Sequence, residues 1–312
     1  IEGLELDGSN ITTAIPGGAS AAHSNFISYW KGNIIHDTGG GNNGLTLGDG
    51  KTQYAWNNFI INNGAPVARG IQSGGTGNTI YLFANSVTAQ NIGIDAVAGS
   101  GTIIARDNAS LGNTADYSGT FDTAGDSNAS SDTTAPGTNP KTGIPALSAF
   151  TNVTAGSEDL HLKSGSPLIG AGVDLSANQN LPVTDDIDGI PRATPYDIGA
   201  DRIDNIWTNG GATGLWATAA NWTLGVPIAG QSIVFNKTST ANCSVATGAN
   251  VPNNLGALSL NAGYTGTVTF QKNATATAMT LSVTKDIRVN AGNLVFEGDT
   301  AGGGGNGLGY TL

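Results

Sequence analysis

A repeat of about 25 residues governs what this chain can fold into. The runs Thr52-Gln-Tyr-Ala-Trp-Asn-Asn58, Thr79-Ile-Tyr-Leu-Phe-Ala-Asn85 and Thr102-Ile-Ile-Ala-Arg-Asp-Asn108 each carry Thr six residues before Asn. Each follows a glycine pair: Gly48-Asp-Gly50, Gly75-Thr-Gly77 and Gly99-Ser-Gly101. Ile27-Ser-Tyr-Trp-Lys-Gly-Asn33 is an imperfect first copy. The Asn positions 33, 58, 85 and 108 lie 25, 27 and 23 residues apart. A second motif falls between the copies, at Gly44-Leu-Thr-Leu47, Gly70-Ile-Gln72 and Gly93-Ile-Asp95. Short strand-like runs and glycine turns at this period predict a solenoid of β coils.

One coil of that length cannot bury its apolar residues alone, so coils must stack. Stacking brings equivalent residues about 4.8 Å apart and turns each repeated position into a column. Asn side chains in register hydrogen-bond along such a column, which assigns a ladder to Asn33, Asn58, Asn85 and Asn108. Tyr29, Tyr54 and Tyr81 share a second register that passes to Ile104. A helical repeat is disfavoured, because the runs are β-branched and aromatic and each glycine costs a helix about 1 kcal/mol.

Composition narrows the class. Of 312 residues 47 are glycine, only 11% are charged and 38% are apolar, which is a β-rich and turn-rich balance. The net charge of −11 argues against duplex nucleic acid as a partner. Cys243 is the single cysteine, so no intrachain disulfide forms. No apolar run reaches the roughly 20 residues of a membrane-spanning helix. The chain opens in mid-pattern at Ile1 and closes on a glycine tract at 302–307, as expected of a piece cut from a longer protein.

Residues 1–20 read as one more coil or an edge, with Leu4, Leu6 and Ile11 facing inward. Residues 115–143, rich in Ser, Thr, Asp, Asn, Gly and Pro, read as an excursion loop. Asp122, Asp126 and Asp132 in that loop are candidates for a loosely bound calcium ion, although no fixed ligand spacing marks them; no other cofactor is expected.

Residues 144–202 carry the most specific signal: Ile144-Pro-Ala-Leu-Ser-Ala-Phe150, Asp159-Leu-His-Leu162 leading to Ser166-Pro-Leu-Ile-Gly170, Asp185-Asp-Ile-Asp-Gly-Ile-Pro-Arg192, and Asp197-Ile-Gly-Ala-Asp201. This order resembles the closing segment of bacterial secreted right-handed parallel β-helix repeat proteins. The resemblance implies an all-β, right-handed parallel β-helix over 1–203, closed by a cap at 144–203, and an extracellular or cell-surface location. That family spans surface proteins, adhesin-like proteins and polysaccharide-active enzymes, so it implies no single reaction. Asp201-Arg202 departs from its usual ending of an aromatic and then an acid. A cap that covers the last strand edge needs a compact irregular structure. Within it, Arg192 is expected to pair with Asp188 or Asp197 through its planar fork.

Residues 204–312 read as a second β-rich, solenoid-like unit. Its opening, from Ile206-Trp-Thr-Asn-Gly210 through Trp216 and Trp222 to Ile233-Val-Phe235, resembles repeat modules of autotransporter-like bacterial surface proteins. Trp207, Trp216 and Trp222 suit closure of a β unit better than stacking on sugars. Ser259-Leu-Asn-Ala-Gly263 recurs as Arg288-Val-Asn-Ala-Gly292, 29 residues later. The strand Leu294-Val-Phe296 is expected to continue into a neighbouring coil beyond Leu312, as in a fibre or stalk.

Chemistry-bearing motifs are scarce. The three histidines are scattered, with no zinc pattern, nucleophile elbow or P-loop. Tyr29, Tyr54, Tyr81, Trp56 and Phe83 lie on one side of a strand, with Lys31 and Arg106 in the same register. That side is either core or an exposed strip suited to glycans; the apolar alternate residues Trp30, Ala55, Leu82 and Ala105 favour exposure. Two functions follow. The favoured one is a structural or adhesive surface protein whose partners are polysaccharide or copies of itself. The alternative is a polysaccharide lyase or glycoside hydrolase, with Lys31 or Arg106 as base and Asp37, Asp95 and Asp107 as acids. Three coil steps put Lys31 and Arg106 about 14 Å apart, too far to act on one bond.

Overall fold

The computed structural model describes residues 1–7, 27–37, 43–48, 51–61, 69–97, 99, 101–192, 194–229, 231–246, 255–271, 281–283 and 287–297. The chain divides into two compact units, 1–203 and 204–312.

In the first unit the repeated runs become rungs. Ile27–Lys31, Thr52–Trp56, Thr79–Phe83 and Thr102–Arg106 stack in parallel as sheet A, with Tyr29, Tyr54, Tyr81 and Ile104 in one register. Sheet B stacks Glu5–Asp7, Ile34–His36, Phe59–Ile61, Ser86–Thr88, Ala109–Ser110 and Ala129–Ser130. Sheet C stacks Leu45–Leu47, Arg69–Ser73, Ile92–Ala96 and Ala115–Gly119. Four successive coils thus run through three strands each, one per sheet, and sheet B gains one further strand at either end among the described residues. This is a parallel β-helix.

Side-chain alternation divides inside from outside. Trp30, Ala55 and Leu82 of sheet A meet Ile35, Ile60 and Val87 of sheet B and Leu45, Ile71, Ile94 and Tyr117 of sheet C in the interior, and Ala105 is also buried. Gln53 also points inward. It is accommodated by hydrogen bonds from Ser28 Oγ to its carbonyl and from its amide to the Gly48 carbonyl. At the corner into sheet C the coils come too close for a side chain. A Cβ on Gly70 would sit 2.6 Å from the Gly93 carbonyl oxygen, and one on Gly93 would sit 2.7 Å from that of Asp116. The Gly44–Gly70–Gly93 echo is therefore a requirement of stacking.

Two expectations change. Residues 115–143 are not an excursion loop. They supply the Ala115–Gly119 rung of sheet C and the Ala129–Ser130 rung of sheet B, with Tyr117 in the core. The polar composition hid these rungs because they are short and because Ser, Asn and Asp side chains do much of the pairing inside them. At the other end, Leu6 packs against the core while Leu4 is exposed; Ile11 lies outside the described residues.

The second unit is also built of parallel rungs. Asn205–Ile206, Ile233–Phe235, Leu258–Leu260 and Ile287–Val289 form one sheet, and Cys243–Ala246, Thr267–Gln271 and Asn293–Glu297 form another. The Ser259 and Arg288 motifs pair in register, Ser259 with Arg288 and Leu260 with Val289. Trp207, Trp216 and Trp222 are buried against Phe235, Tyr264 and Phe270. Cys243 is buried among them, and that burial pushes its thiol pKa up. Leu294 and Phe296 sit on a rung beside Thr267–Gln271, with Phe270 and Phe296 stacked at 5.3 Å.

Candidate functional site

The corner between sheets A and B is the most regular feature of the first unit. A residue with positive φ opens it in each coil: Gly32, Asn57, Ala84, Asp107 and Ser127. The next residue is a buried Asn. The Asn33 amide donates to the Asn58 side-chain carbonyl at 2.9 Å, Asn58 to Asn85 at 2.8 Å, and Asn85 to Asn108 at 2.9 Å. The column runs one step further, from Asn108 to Asn128 at 3.0 Å. The remaining amide proton of Asn58, Asn85 and Asn108 goes to the carbonyl of Trp30, Ala55 and Leu82, respectively. A buried amide is tolerated only when its donors and acceptor are used, and the stack meets that condition. Asn128 escaped the repeat because it sits only 20 residues after Asn108.

The aromatic column faces outward. Tyr29 and Tyr54 stack at 4.9 Å between centroids, and Tyr54 and Tyr81 at 5.2 Å, with nearly parallel rings. Its exposure is not uniform, because residues 173–183 cross it. Leu175, Leu181 and Val183 bury Phe83 completely and pack against Tyr54, Trp56 and Tyr81. Tyr29 stays 52% exposed. Of the five residues expected in a glycan strip, Phe83 has no surface for a ligand, and Tyr54, Trp56 and Tyr81 have part of theirs. Sequence alternation distinguishes outward from inward but does not reveal that another segment lies outside.

That segment is a strap made from the expected cap. It returns along the outer faces of sheets A and B toward the first coils. Phe150, Leu160, Leu162, Leu168, Ile198 and Ala200 pack on Phe59, Ile61 and Ala109 of sheet B and on Leu111 just after it. Gly199 donates its N–H to the Asp107 carbonyl at 2.7 Å, and a Cβ there would meet Ser86 Oγ at 2.8 Å, so the strap lies directly on the coil. The Asp107 carboxylate accepts from Val173 N–H at 3.0 Å. Burial pushes the Asp107 pKa up to about 8, against the opposing pull of that hydrogen bond and of the nearby Arg192 charge.

Arg192 is buried but bonded differently from expectation. Its guanidinium donates to the main-chain carbonyls of Asp185 (2.9 Å), Asp197 (3.2 Å) and Gly199 (2.7 Å), and to Asn57 Oδ1 (3.2 Å). It makes no carboxylate ion pair with Asp188 or Asp197. The Asp197 carboxylate instead accepts N–H groups of Gly170 and Ile203. Main-chain carbonyls compete for the fork because the strap's irregular backbone has few partners of its own.

The basic side chains of the lyase alternative are engaged. Lys31 Nζ lies 2.8 Å from both Glu2 and Asp185. Burial works to lower its pKa, but hydrogen bonds to Asp185 and Glu2 outweigh this and raise it, so it holds its proton. Arg106 donates to the Ala124 carbonyl at 2.8 Å and lies over the Phe83 ring. The proposed acids are dispersed: Asp37 contacts His36, Asp95 contacts Arg69 on sheet C, and Asp107 lies under the strap. Asp122, Asp126 and Asp132 accept from neighbouring groups, at Ala124 N, Asn139 Nδ2 and Thr134 N respectively. They form no three-ligand group among the described residues.

The strap does assemble one group that sequence spacing did not suggest. His161, Asp188 and Asp201, separated by 27 and 13 residues, bring one ligand atom each within 4.8 Å of the others. His161 Nε2 is 3.2 Å from Asp188 Oδ2, and Nδ1 bonds the Asp159 carboxylate. The hydrogen bond with Asp188 pushes the His161 pKa up to about 10 despite partial burial. Burial drives the Asp201 carboxyl well above the usual range, and the Asp186 charge adds to this.

Comparison with protein-family models, curated proteins and solved structures finds no match.

Proposed function

We propose that this chain is a structural segment of an extracellular or cell-surface β-solenoid protein with an adhesive or spacing role. One observation carries the reading: much of the coil face that bears the aromatic column is covered by the chain's own strap, and Lys31 is paired with it. Leu175, Leu181 and Val183 occupy the place where a polysaccharide would lie, and Asp185 neutralises Lys31. A face used in this way strengthens the stack. The exposed ring of Tyr29 leaves a small area for stacking on a sugar.

The test combines surface labelling with a degradation screen. Antibodies to the chain should label intact source cells, and external protease should remove the label. Incubation with pectin, alginate and neutral polysaccharides should yield no unsaturated or reducing ends. Product formation lost on Lys31→Ala or Arg106→Ala would replace this reading with the lyase alternative.

A further inference from the structure

We propose that His161, Asp188 and Asp201 bind a divalent transition-metal cation, which ties three remote parts of the strap together. The three ligands come from the strand Asp159–Leu162, from the turn at residues 186–189 and from the segment following Ile198. Their ligand atoms lie within 4.8 Å of one another, a span that one cation with bonds of about 2.0–2.2 Å can bridge after small side-chain adjustments.

Three features point to a metal rather than to a chance cluster. First, the imidazole is already oriented. Asp159 Oδ1 accepts the main-chain N–H of His161 at 3.0 Å and also engages Nδ1, which leaves Nε2 directed at Asp188. A carboxylate behind one ring nitrogen is how metal-bound histidines are held and made more basic. Second, Asp201 is buried at 4% exposure. Its one hydrogen bond among the described residues comes from Leu162 N–H at 2.7 Å, and it makes no ion pair within 4.0 Å there. A buried carboxylate with so little compensation is costly unless a cation or a proton satisfies it. Third, the other side is open: the His161 and Asp188 side chains are 41% and 50% exposed, which leaves an entry path and room for water ligands.

The donor set selects the class of ion. Calcium favours six to eight oxygens, and magnesium an octahedral oxygen shell rich in water. One imidazole nitrogen with two carboxylates suits Zn²⁺, Mn²⁺ or Co²⁺ better. Asp159 touches no metal in this arrangement and acts as a positioning residue.

Zinc is the probe. The full-length, tag-free chain, stripped with EDTA, is titrated with ZnCl₂ by calorimetry and followed by thermal melting. One Zn²⁺ per chain and a raised melting temperature reversed by EDTA are expected. Asp188→Asn, at an exposed position that leaves the fold intact, and His161→Gln should each abolish the event. Asp159→Asn should weaken it by about 10–100-fold while keeping the stoichiometry. His36→Gln should leave it unchanged, since His36 lies apart in sheet B beside Glu5 and Asp37. Zinc binding unaltered by Asp188→Asn and His161→Gln, or no binding of Zn²⁺, Mn²⁺ or Co²⁺ to a folded chain, would overturn the site. Saturation by Ca²⁺ in preference to Zn²⁺ would overturn the assignment of metal class.

Discussion

Asp107 shows how one residue serves three demands at once. It occupies the positive-φ corner, its carbonyl receives Gly199 N–H, and its carboxylate receives Val173 N–H. Its folded pKa of about 8 lies above the ordinary 3.8. The folded chain therefore keeps a proton that the unfolded chain has lost between about pH 4 and pH 8, and stability falls as pH rises through that window. Asp107→Asn mimics the protonated side chain and still suits the left-handed corner. Its melting temperature should fall less than that of the parent between pH 5 and pH 8. Parallel pH profiles for the two proteins would show that Asp107 does not titrate in this way.

At the scale of the element, the strap is held by apolar packing and pinned by Arg192. Removing that guanidinium strands four acceptors, the carbonyls of Asp185, Asp197 and Gly199 and Oδ1 of Asn57, in a buried site. Arg192→Ala should cost about 3 kcal/mol or more, since each buried acceptor left unsatisfied costs about 1–3 kcal/mol. Denaturant unfolding measures the loss, and hydrogen exchange should localise it to residues 168–203. An unchanged midpoint would mean that the packing of Leu175, Leu181 and Val183 suffices without the pin. The short parallel strands beneath gain from stacking, because a β edge left open is a liability and the Asn ladder joins coil to coil.

For the whole molecule, two units with separate apolar interiors imply separable unfolding. The first is built around Ile35, Ile60, Ile71 and Ile94, the second around Trp207, Trp216 and Phe235. Calorimetry should resolve two transitions, and Arg192→Ala should lower only the one belonging to residues 1–203. A single transition shifted as a whole by that substitution would show that the units unfold as one.

Much of this protein was legible in its sequence because stacking converts a local repeat directly into a column. The period of 25 predicts the rungs, the Thr-to-Asn spacing predicts the ladder at Asn33, Asn58, Asn85 and Asn108, and apolar alternation predicts that Trp30, Ala55 and Leu82 turn inward. The repeat could not reveal what depends on contacts between distant segments. Asn128 belongs to the ladder although its coil is shortened, and the strands at 115–119 and 129–130 are hidden in a polar stretch. Residues 144–203 were expected to form a cap, but the course of Leu175, Leu181 and Val183 over Phe83 and the bonding of Arg192 through carbonyls were not legible. His161, Asp188 and Asp201 share no sequence spacing that chemistry would notice. Periodic order is encoded within each coil and repeats along the chain. The strap follows a single, non-repeating path, so only packing against the finished coils decides which of its side chains meet.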